Sequence, residues 1–377
     1  MKTQIRDSTN QGPVLGIFVK PTRLSVDNST TDLDHILAGL ANNFICYLFS
    51  LDSIDWTYKK IKGLTFDLDS NQWSYRWLPL PDVIYDRGSG FAESEKERVT
   101  KIRAKFRDDL KIKTINSRDY IGKWNTYNYL LSHDFVAKYL PVTIRYQNFN
   151  DVLIMLRSYK FIFIKSFYGK RGQEVMSIEK AGSNNSYKVA TFSNGLREIE
   201  ISNTQELKKT VEEFMDNNTG GSFLVQQGVR LLNYKNRPFD IRILLIKDSQ
   251  GKWQAINSYA RIAAKEYQII TNYSVGSECN FYSNIYPELL KQSNVNIPTP
   301  KEISNTTVKI AYHIEKEFGS FGELGLDIAV DINGKLWFLE VNTKPDKDLV
   351  EGLDDNRQVI HPQFQAIFDY ARFLYHY

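Results

Sequence analysis

Strand-length apolar segments alternate with longer amphipathic segments along the first third of the chain. Val14–Val19 and Cys46–Ser50 are rich in β-branched and aromatic residues, a pattern typical of buried strands. Between them, apolar residues recur at helical spacing within Asp32–Asn43, which predicts a helix. Further strands are predicted in Ile54–Leu68, Trp73–Trp77 and Pro81–Asp86, followed by a charged helix in Glu93–Leu110. This alternation predicts an open α/β domain over residues 12–120.

A different order of elements begins at about residue 117. Helices are predicted in Trp124–Leu131, Asp151–Tyr159, Asn203–Met215, Ile303–Phe318 and Pro362–Tyr375, and Pro141–Ile144 reads as a connector. Single strands are predicted in Phe161–Lys165, Gln173–Glu179, Tyr187–Phe192 and Ser222–Gln227. Asn203 or Thr204 is the expected cap of its helix, because both side chains can accept a bond from the first turn.

Two hairpins are predicted in the last third of the chain. The first joins Phe239–Ile246 to Trp253–Arg261 through a turn at Asp248–Gly251. The second joins Gly322–Val330 to Leu336–Val341. Each pair of apolar runs flanks a short polar segment containing glycine, which is the usual composition of a hairpin turn.

Composition narrows the class of protein. A chain of 377 residues that is 42% hydrophobic and 24% charged is long enough for two or three subdomains and is not expected to be disordered. The formal net charge is only +4, from 48 basic and 44 acidic residues, so a nucleic-acid partner is not expected. Aromatic residues are abundant around Trp73–Trp77; a stacking surface for nucleic acid or glycan is one interpretation, and core packing is favoured.

Cysteine content and the chain start bear on location. Cys46 and Cys279 match no metal-binding spacing and no disulfide framework, which favours a reducing compartment. Residues 1–11 are polar, lack the apolar segment of a signal peptide and are expected to be flexible. No apolar run approaches membrane-spanning length. We therefore expect a cytoplasmic protein without a membrane partner.

The second predicted hairpin carries an acidic set. Asp327 lies on one strand, and Glu340 and Asn342 share a face of the next because they are two residues apart. An antiparallel register can place Asp327 opposite them, giving the all-oxygen ligands that Mg²⁺ prefers. The alternative is an exposed hairpin with solvated charges. The metal interpretation is favoured because Glu340 lies within the apolar run Leu336–Val341, where burial is expected and a carboxylate needs a partner.

Three other positions can carry chemistry. Lys165 ends a predicted buried strand just before Gly169 and Gly172. Two interpretations of this position are equally supported: a lysine that binds phosphate beside a glycine loop, and a lysine that simply ends a strand before a turn. Asp240 and Arg242 share a strand face, and an arginine there could stabilise charge on a transferring phosphoryl group. On spacing alone a surface ion pair is the favoured reading of that pair. Arg261, near the end of the next strand, could lie on the same sheet.

The order of these parts resembles the ATP-grasp superfamily over residues 117–350. A narrower resemblance is carried by the segments Pro81–Arg87, Lys123–Tyr127, Leu140–Thr143, Phe239–Arg242, Tyr259–Ile262, Gly325–Ile328 and Glu340–Pro345. In these segments the chain resembles the YheC/YheD family associated with endospore coats.

This resemblance implies an overall fold of the α/β (α+β) class. An N-terminal open α/β domain at 12–120 would precede a two-lobed ATP-grasp domain at 121–377. Within the latter, a central lobe at about 140–228 would move as a lid over a catalytic lobe at about 229–377.

The resemblance also implies residue roles. Lys123 and Lys165 would bind ATP phosphates, and the loop from Gly169 to Gly172 would fold over them. The adenine pocket at the hinge would be lined by Gln226, Gln227 and Val229. Many members of the superfamily hold the ribose with a glutamate there, and in this chain Gln227 or a later residue must serve.

The catalytic lobe would hold the metal and the reacting groups. One or two Mg²⁺ ions, with Mn²⁺ as an alternative, would be bound by Asp327, Glu340 and Asn342. Arg242 would meet the γ-phosphate or an acylphosphate, with Arg261 as a second candidate.

The implied activity is that of a ligase. ATP would activate a small-molecule or peptide carboxylate as an acylphosphate, and an amine or thiol would displace phosphate, in spore coat or envelope formation. Two other functions stay open. One is a non-catalytic or regulatory ATP-binding protein of the spore coat, and the other is a kinase that phosphorylates a hydroxyl group and stops there.

Overall fold

The structure is a computed structural model that describes residues 12–25, 30–167, 174–182, 185–192, 196–218, 221–264, 277–347 and 360–377. Three β-sheets organise these residues. The expected flexible segment 1–11 and the expected glycine loop, with Gly169 and Gly172, lie outside the described residues. Among the described residues, no helix is both long enough and apolar enough to cross a membrane.

The first sheet is seven-stranded and mostly parallel at its centre. Its strands are β1 (Val14–Phe18), β2 (Ile45–Phe49), β3 (Ile54–Asp55), β4 (Lys60–Asp67), β5 (Gln72–Pro79), β6 (Val83–Asp86) and β7 (Lys113–Thr114). They are ordered β3-β4-β2-β1-β6-β7, with β5 paired to β4. Helices α1 (Thr30–Ala41) and α2 (Lys96–Ala104) accompany it, and α2 continues as a π-helical turn, Lys105–Asp109.

The second sheet is antiparallel throughout. Two helices, α3 (Lys123–Leu131) and α4 (Asp134–Ala137), lead into it. Its elements are β8 (Thr143–Arg145), α5 (Phe149–Tyr159), β9 (Phe161–Ser166), β10 (Val175–Ala181), β11 (Ser186–Phe192), β12 (Leu196–Ile201), α6 (Thr204–Asp216) and β13 (Phe223–Gln227). The strands are ordered β12-β11-β10-β9-β13-β8, and α5 and α6 cover one face to form a separate apolar core.

The third sheet carries the predicted acidic set. Its elements are β14 (Asn233–Tyr234), β15 (Arg237–Lys247), β16 (Trp253–Ile262), β17 (Glu278–Phe281), α7 (Tyr282–Gln292), α8 (Pro300–Phe318), β18 (Glu323–Val330), β19 (Leu336–Asn342) and α9 (Pro362–His376). The order is β17-β16-β15-β18-β19. Helices α7 and α8 pack on one face of it. Helix α9 packs on part of the other face and joins it to the core of the first sheet.

Most predicted elements are confirmed. Both hairpins form, and Asn203 caps α6 by accepting a bond from the Glu206 amide at 2.9 Å. The segment Pro141–Ile144, predicted as a connector, instead contributes most of β8, because it pairs with β13. The sequence reading missed β12, β17 and α7; Pro287 inside α7 disguises its helical pattern.

The prediction of core packing for the aromatic residues holds only in part. Trp73 packs edge-on against Phe66, at the border of the apolar core. Trp77 is 58% exposed, so its predicted burial is wrong. The reason is topological: among the described residues β5 pairs with β4 alone and forms an edge of the sheet, and most of its side chains are exposed or only partly buried.

A buried ion network ties the third sheet to the first. The side chains of Glu323 and Lys347 are 0% exposed, with Lys347 Nζ 2.5 Å from Glu323 Oε1. The Tyr85 hydroxyl on β6 donates to Glu323 Oε2 at 2.7 Å. Burial lowers the pKa of Lys347 to about 8, against the opposing effect of Glu323. Because Glu323 begins β18 and Lys347 closely follows β19, the network fixes both strands of the acidic hairpin.

This network predicts a large effect of single substitutions. Lys347→Met leaves the Glu323 carboxylate buried with less compensation and should lower the free energy of unfolding by about 3–5 kcal/mol. The double variant Lys347→Met with Glu323→Gln should lose clearly less than the sum of the single losses, because neither side chain then leaves the other as an unmatched buried charge. The Arg87 guanidinium, 3.5 Å from Glu323 Oε2, loses this partner equally in the Glu323→Gln single variant and in the double variant. Denaturant unfolding of the four proteins measures the coupling. Additive losses would show that the two side chains do not act as a pair.

Candidate functional site

A cleft separates the second and third sheets. Its apolar walls include Leu140, Leu224 and Phe338. The polar side chains that line it include Lys123, Lys165, Gln226 and Glu340. Four predicted site residues from four separate elements, α3, β9, β13 and β19, are thus brought to one place.

Lys165 is held by the strands beside it. Its ammonium donates to Gln226 Oε1 at 2.8 Å, and Gln226 Nε2 donates to Thr143 Oγ1 at 2.9 Å. Desolvation and the charge of Lys123 together lower the pKa of Lys165 to about 8, against the opposing effects of Glu340 and Asp327. The two ammonium groups therefore repel each other in a partly desolvated cleft, and a bound polyanionic ligand would relieve this repulsion.

Lys123 is the first residue of α3, and its ammonium lies 3.8 Å from Glu340 Oε2. Glu340 was expected to be buried, and this expectation is wrong, because its side chain is 37% exposed. It lies on β19, an edge strand of the sheet, where the apolar neighbours Leu336–Phe338 are covered and the end of the strand opens to the cleft. An exposed carboxylate at this point is accessible to a metal ion.

Asp327 lies between two arginines. Arg242 Nη2 donates to Asp327 Oδ2 at 3.0 Å while its Nε bonds Oδ1, and Arg261 Nη2 lies 3.0 Å from Oδ2. Although burial raises the pKa of Asp327, the guanidinium groups outweigh it and lower the pKa well below the ordinary value. Asp327 is consequently ionised at any physiological pH.

A second carboxylate completes a chain of alternating charge. Arg261 Nε donates to Asp240 Oδ1 at 2.7 Å, and both side chains are buried. The favoured reading of Asp240 and Arg242 as a surface ion pair is therefore wrong. Each arginine pairs across strands, Arg261 with Asp240 and Arg242 with Asp327, as the registers of β15, β16 and β18 require.

The donor set fits a hard cation. Asp327 and Glu340 are cross-strand partners, and contact with Glu340 contributes to the lowered pKa of Asp327. The Asn342 side-chain nitrogen is buried and has no hydrogen-bond partner among the described residues, so no hydrogen bond through this nitrogen is seen to fix the orientation of the amide. The described residues contain no cluster of three His, Cys, Asp or Glu side chains. Two carboxylates and one amide suit Mg²⁺ that shares its remaining positions with phosphate and water.

Some predicted site residues lie elsewhere. Gln227 alternates with Gln226 along β13, and its Oε1 accepts a bond from the Val142 amide at 3.2 Å at the sheet edge. Val229 follows β13 and is not among the residues that line the cleft. No described contact therefore assigns Gln227 or Val229 to an adenine pocket, and their role stays a prediction.

The cleft also contains residues that sequence reasoning missed. Tyr127 lines it, and its hydroxyl accepts a bond from the Thr143 amide at 3.0 Å. Tyr127 lies four residues after Lys123 on α3, so helical spacing could have identified it. Thr143 lies in a segment that was read as a connector. Although Leu140–Thr143 carries part of the family resemblance, no role was assigned to Thr143.

The fold is that of known ATP-grasp proteins. The ATP-grasp ligase PsnB complexed with precursor peptide PsnA2 and AMPPNP superposes with a TM-score of 0.56 at 13% identity, covering 95% of this chain and 98% of that chain. D-cycloserine synthetase DcsG superposes with a TM-score of 0.53 at 9% identity, covering 95% of this chain and 99% of that chain. At such identities the likeness shows the shared fold alone.

Two curated proteins of Bacillus subtilis (strain 168) are similar in sequence. Endospore coat-associated protein YheD is 24% identical over 380 residues, which is 96% of this chain and 79% of YheD. Endospore coat-associated protein YheC is 23% identical over 286 residues, or 76% of each chain. A family model described as YheC/D like ATP-grasp matches residues 111–374. The chain belongs to the YheC/D-like ATP-grasp family.

Proposed function

We propose that this protein is a Mg·ATP-dependent ligase that activates a carboxylate as an acylphosphate and joins it to an amine or a thiol. One observation carries the proposal. Lys123 and Lys165 line one cleft with Glu340, and Glu340 is the cross-strand partner of Asp327, which Arg242 binds. Candidate cations for phosphates, oxygen ligands for a metal and an arginine that binds one of these ligands are therefore linked contact by contact.

The lysines would bind the phosphates as point charges. Lys165 is fixed by Gln226, so its ammonium needs little reorganisation when a phosphate arrives. Asp327, Glu340 and Asn342 would hold Mg²⁺, or Mn²⁺ as the alternative ion. When bound there, the metal would neutralise charge between the terminal phosphates of ATP.

The arginines would stabilise the transferring group. Arg242 is adjacent to the metal ligands, while Arg261 is held between Asp240 and Asp327. Preorganised guanidinium groups in a desolvated site lower the energy of charge that develops during transfer. Arg242 is the first candidate for contact with the γ-phosphate or acylphosphate, and Arg261 mainly positions Asp327.

The proposed reaction has two displacements. A carboxylate oxygen of the acceptor attacks the γ-phosphorus and ADP leaves. The nucleophile then attacks the acyl carbon, phosphate leaves with the acyl oxygen, and the nucleophile loses a proton. A peptide is one suitable acceptor and a small-molecule carboxylate the other; a precursor peptide bound to PsnB supports the former.

The setting proposed is the cytoplasm, in association with spore coat or envelope formation. Its support is the description of YheD and YheC as endospore coat-associated. A vestigial site would not require the lysines, carboxylates and arginines to be retained together, whereas a regulatory site would keep them and differ in turning over no ATP. No contact in the cleft favours a hydroxyl over a carboxylate acceptor.

The metal assignment predicts the effect of Glu340→Ala. Mg·ATP at one hundred times its Kd should stabilise the wild type by about 2.7 kcal/mol. The variant should lose most of this stabilisation and all ligase activity, with little change in the free energy of unfolding without nucleotide, because Glu340 is partly exposed. Glu212→Ala on α6 removes an exposed carboxylate far from the cleft and is the control. Full activity of Glu340→Ala would refute the metal assignment.

The products distinguish the two catalytic alternatives. A ligase turns over ATP to ADP and free phosphate and joins acceptor to nucleophile, so phosphate should appear in solution in equal amount to the ligated product. A kinase would leave the phosphate on its product. Mass spectrometry of reactions with [γ-¹⁸O]ATP separates these outcomes, and stable phosphorylation of a hydroxyl would overturn the ligase proposal.

The lowered pKa of Lys165 predicts a pH dependence of nucleotide binding. Its ammonium form binds phosphate, and this form is lost as the pH rises through about 8. The affinity for Mg·AMPPNP should therefore fall between pH 8 and 9.5, by up to about tenfold per pH unit. Lys165→Arg keeps its charge over this range, and its affinity should vary little. Calorimetry at several pH values checks this, and a flat wild-type profile would contradict the role of Lys165.

A further inference from the structure

Thr143 lines the cleft and makes hydrogen bonds on two sides. It is the first residue of β8 and is buried. Its backbone amide donates to the Tyr127 hydroxyl at 3.0 Å, and its own hydroxyl oxygen accepts a bond from Gln226 Nε2 at 2.9 Å. One residue is therefore bonded to a helix on one side and to a neighbouring strand on the other.

The bond on the first side reaches the core of the third sheet. Tyr127 lies on α3 and packs against that core, to which Leu130 of the same helix belongs. Lys123 lies four residues before Tyr127, so the two side chains share one face of α3. The Tyr127–Thr143 bond therefore joins the helix that carries Lys123 to the second sheet.

The bonds on the other side reach Lys165. Gln226 is the cross-strand partner of Thr143, and its Oε1 accepts a bond from the Lys165 ammonium at 2.8 Å. The adjacent residues of the same strands, Val225 and Ile164, are buried in the apolar core of the second sheet. Because side chains alternate along a strand, Gln226 and Lys165 are directed to the cleft.

Each of these bonds can run in one direction only. An ammonium group has no acceptor, so the Gln226 amide must turn its oxygen to Lys165 and its nitrogen to Thr143. The Thr143 hydroxyl accepts from that nitrogen and donates its own hydrogen to the Pro141 carbonyl at 2.9 Å. Without this hydroxyl, the Gln226 amide would lose the bond that keeps its nitrogen away from the Lys165 ammonium.

The chain of bonds connects two separate apolar cores. Lys123 lies on a helix of the third-sheet core, whereas Lys165 lies on a strand that packs on the core of the second sheet. A phosphate group contacts both ammonium groups only when their separation is correct, and small errors in the placement of binding groups are costly. A link between the two cores at Thr143 would set this separation.

We propose that Thr143 is the positioning residue that holds Lys123 and Lys165 at the separation that the phosphates of ATP require. Its amide acts through Tyr127 on the helix of Lys123, and its hydroxyl acts through Gln226 on Lys165. This inference rests on the proposed function and adds a residue that supports the two lysines. Loss of the link should weaken nucleotide binding more than it weakens the fold.

The first test compares Thr143→Val with Thr143→Ser. Valine keeps the shape and the backbone amide but removes the hydroxyl, so the affinity for Mg·AMPPNP should fall about tenfold. Serine keeps the hydroxyl, and its affinity should stay within about threefold of the wild type. Calorimetry measures both. An equal loss in the two variants would show that the hydroxyl is not the positioning group and would overturn the proposal.

The matched control is Thr307→Val. Its hydroxyl is also buried, donates to the Ile303 carbonyl at 2.9 Å within α8, and does not line the described cleft. This variant should be destabilised like other variants that lose a buried hydrogen bond, yet bind Mg·AMPPNP like the wild type. An equal loss of affinity in Thr307→Val and Thr143→Val would reduce the effect to general destabilisation and contradict a positioning role.

The second test asks whether Thr143 acts through Lys165. In a protein that already carries Lys165→Met, Thr143→Val should change the affinity by about twofold or less, because the group that it positions is gone. A tenfold loss in both backgrounds would show that Thr143 acts independently of Lys165 and would overturn this part of the proposal.

The amide side is tested with Tyr127→Phe, which removes the acceptor of the Thr143 amide and keeps the aromatic ring. The affinity for Mg·AMPPNP should fall several-fold, by about threefold to tenfold, and this loss should disappear in the Lys123→Met background. Unchanged affinity in Tyr127→Phe, or an equal loss in both backgrounds, would refute the link to Lys123.

The outcomes separate this inference from the proposed function. If the wild type does not bind Mg·AMPPNP, or if Lys165→Met binds it as tightly as the wild type, the proposed nucleotide site fails. If the wild type binds it and Lys165→Met is weakened while Thr143→Val binds like the wild type, only the positioning role of Thr143 is refuted.

Discussion

The placement of Asp327 between Arg242 and Arg261 is the constraint on which the rest of the site depends. All three side chains are wholly or largely buried, and removing one partner would strand a charge at a cost of about 3–5 kcal/mol. The arrangement fixes the spacing of β15, β16 and β18 on the cleft side. It also keeps an ionised carboxylate next to Glu340, where a metal ion can use it.

The wider fold supports this arrangement from two directions. The Glu323–Lys347 network anchors the start of β18 and the segment after β19 to the first sheet. Helix α9 covers Leu244 and Ile246 on one face of the third sheet. The proposed site therefore lies on the part of that face that α9 does not cover. The second sheet, with its own core, contributes Lys165 to the opposite wall of the cleft. Separate cores on the two sides of a cleft would permit relative movement during nucleotide binding.

Sequence patterns predicted most of the strands, both hairpins and the charged residues of the candidate site, because alternation and helical spacing are local properties. They could not predict pairing across strands. Arg242 was read with Asp240, two residues away, whereas the register joins it to Asp327, eighty-five residues further along. The exposure of Glu340 was misjudged for the same reason, since its apolar neighbours did not reveal that β19 is an edge strand.

The central claim is that one cleft holds Mg·ATP between the two lysines and the acidic hairpin. A crystal structure with Mg²⁺ and AMPPNP tests it most directly. We expect density for the metal between the Asp327 and Glu340 carboxylates and for the phosphates within bonding distance of Lys123 and Lys165. Nucleotide bound elsewhere, or phosphates that contact neither lysine while Asp327 binds only its arginines, would contradict it.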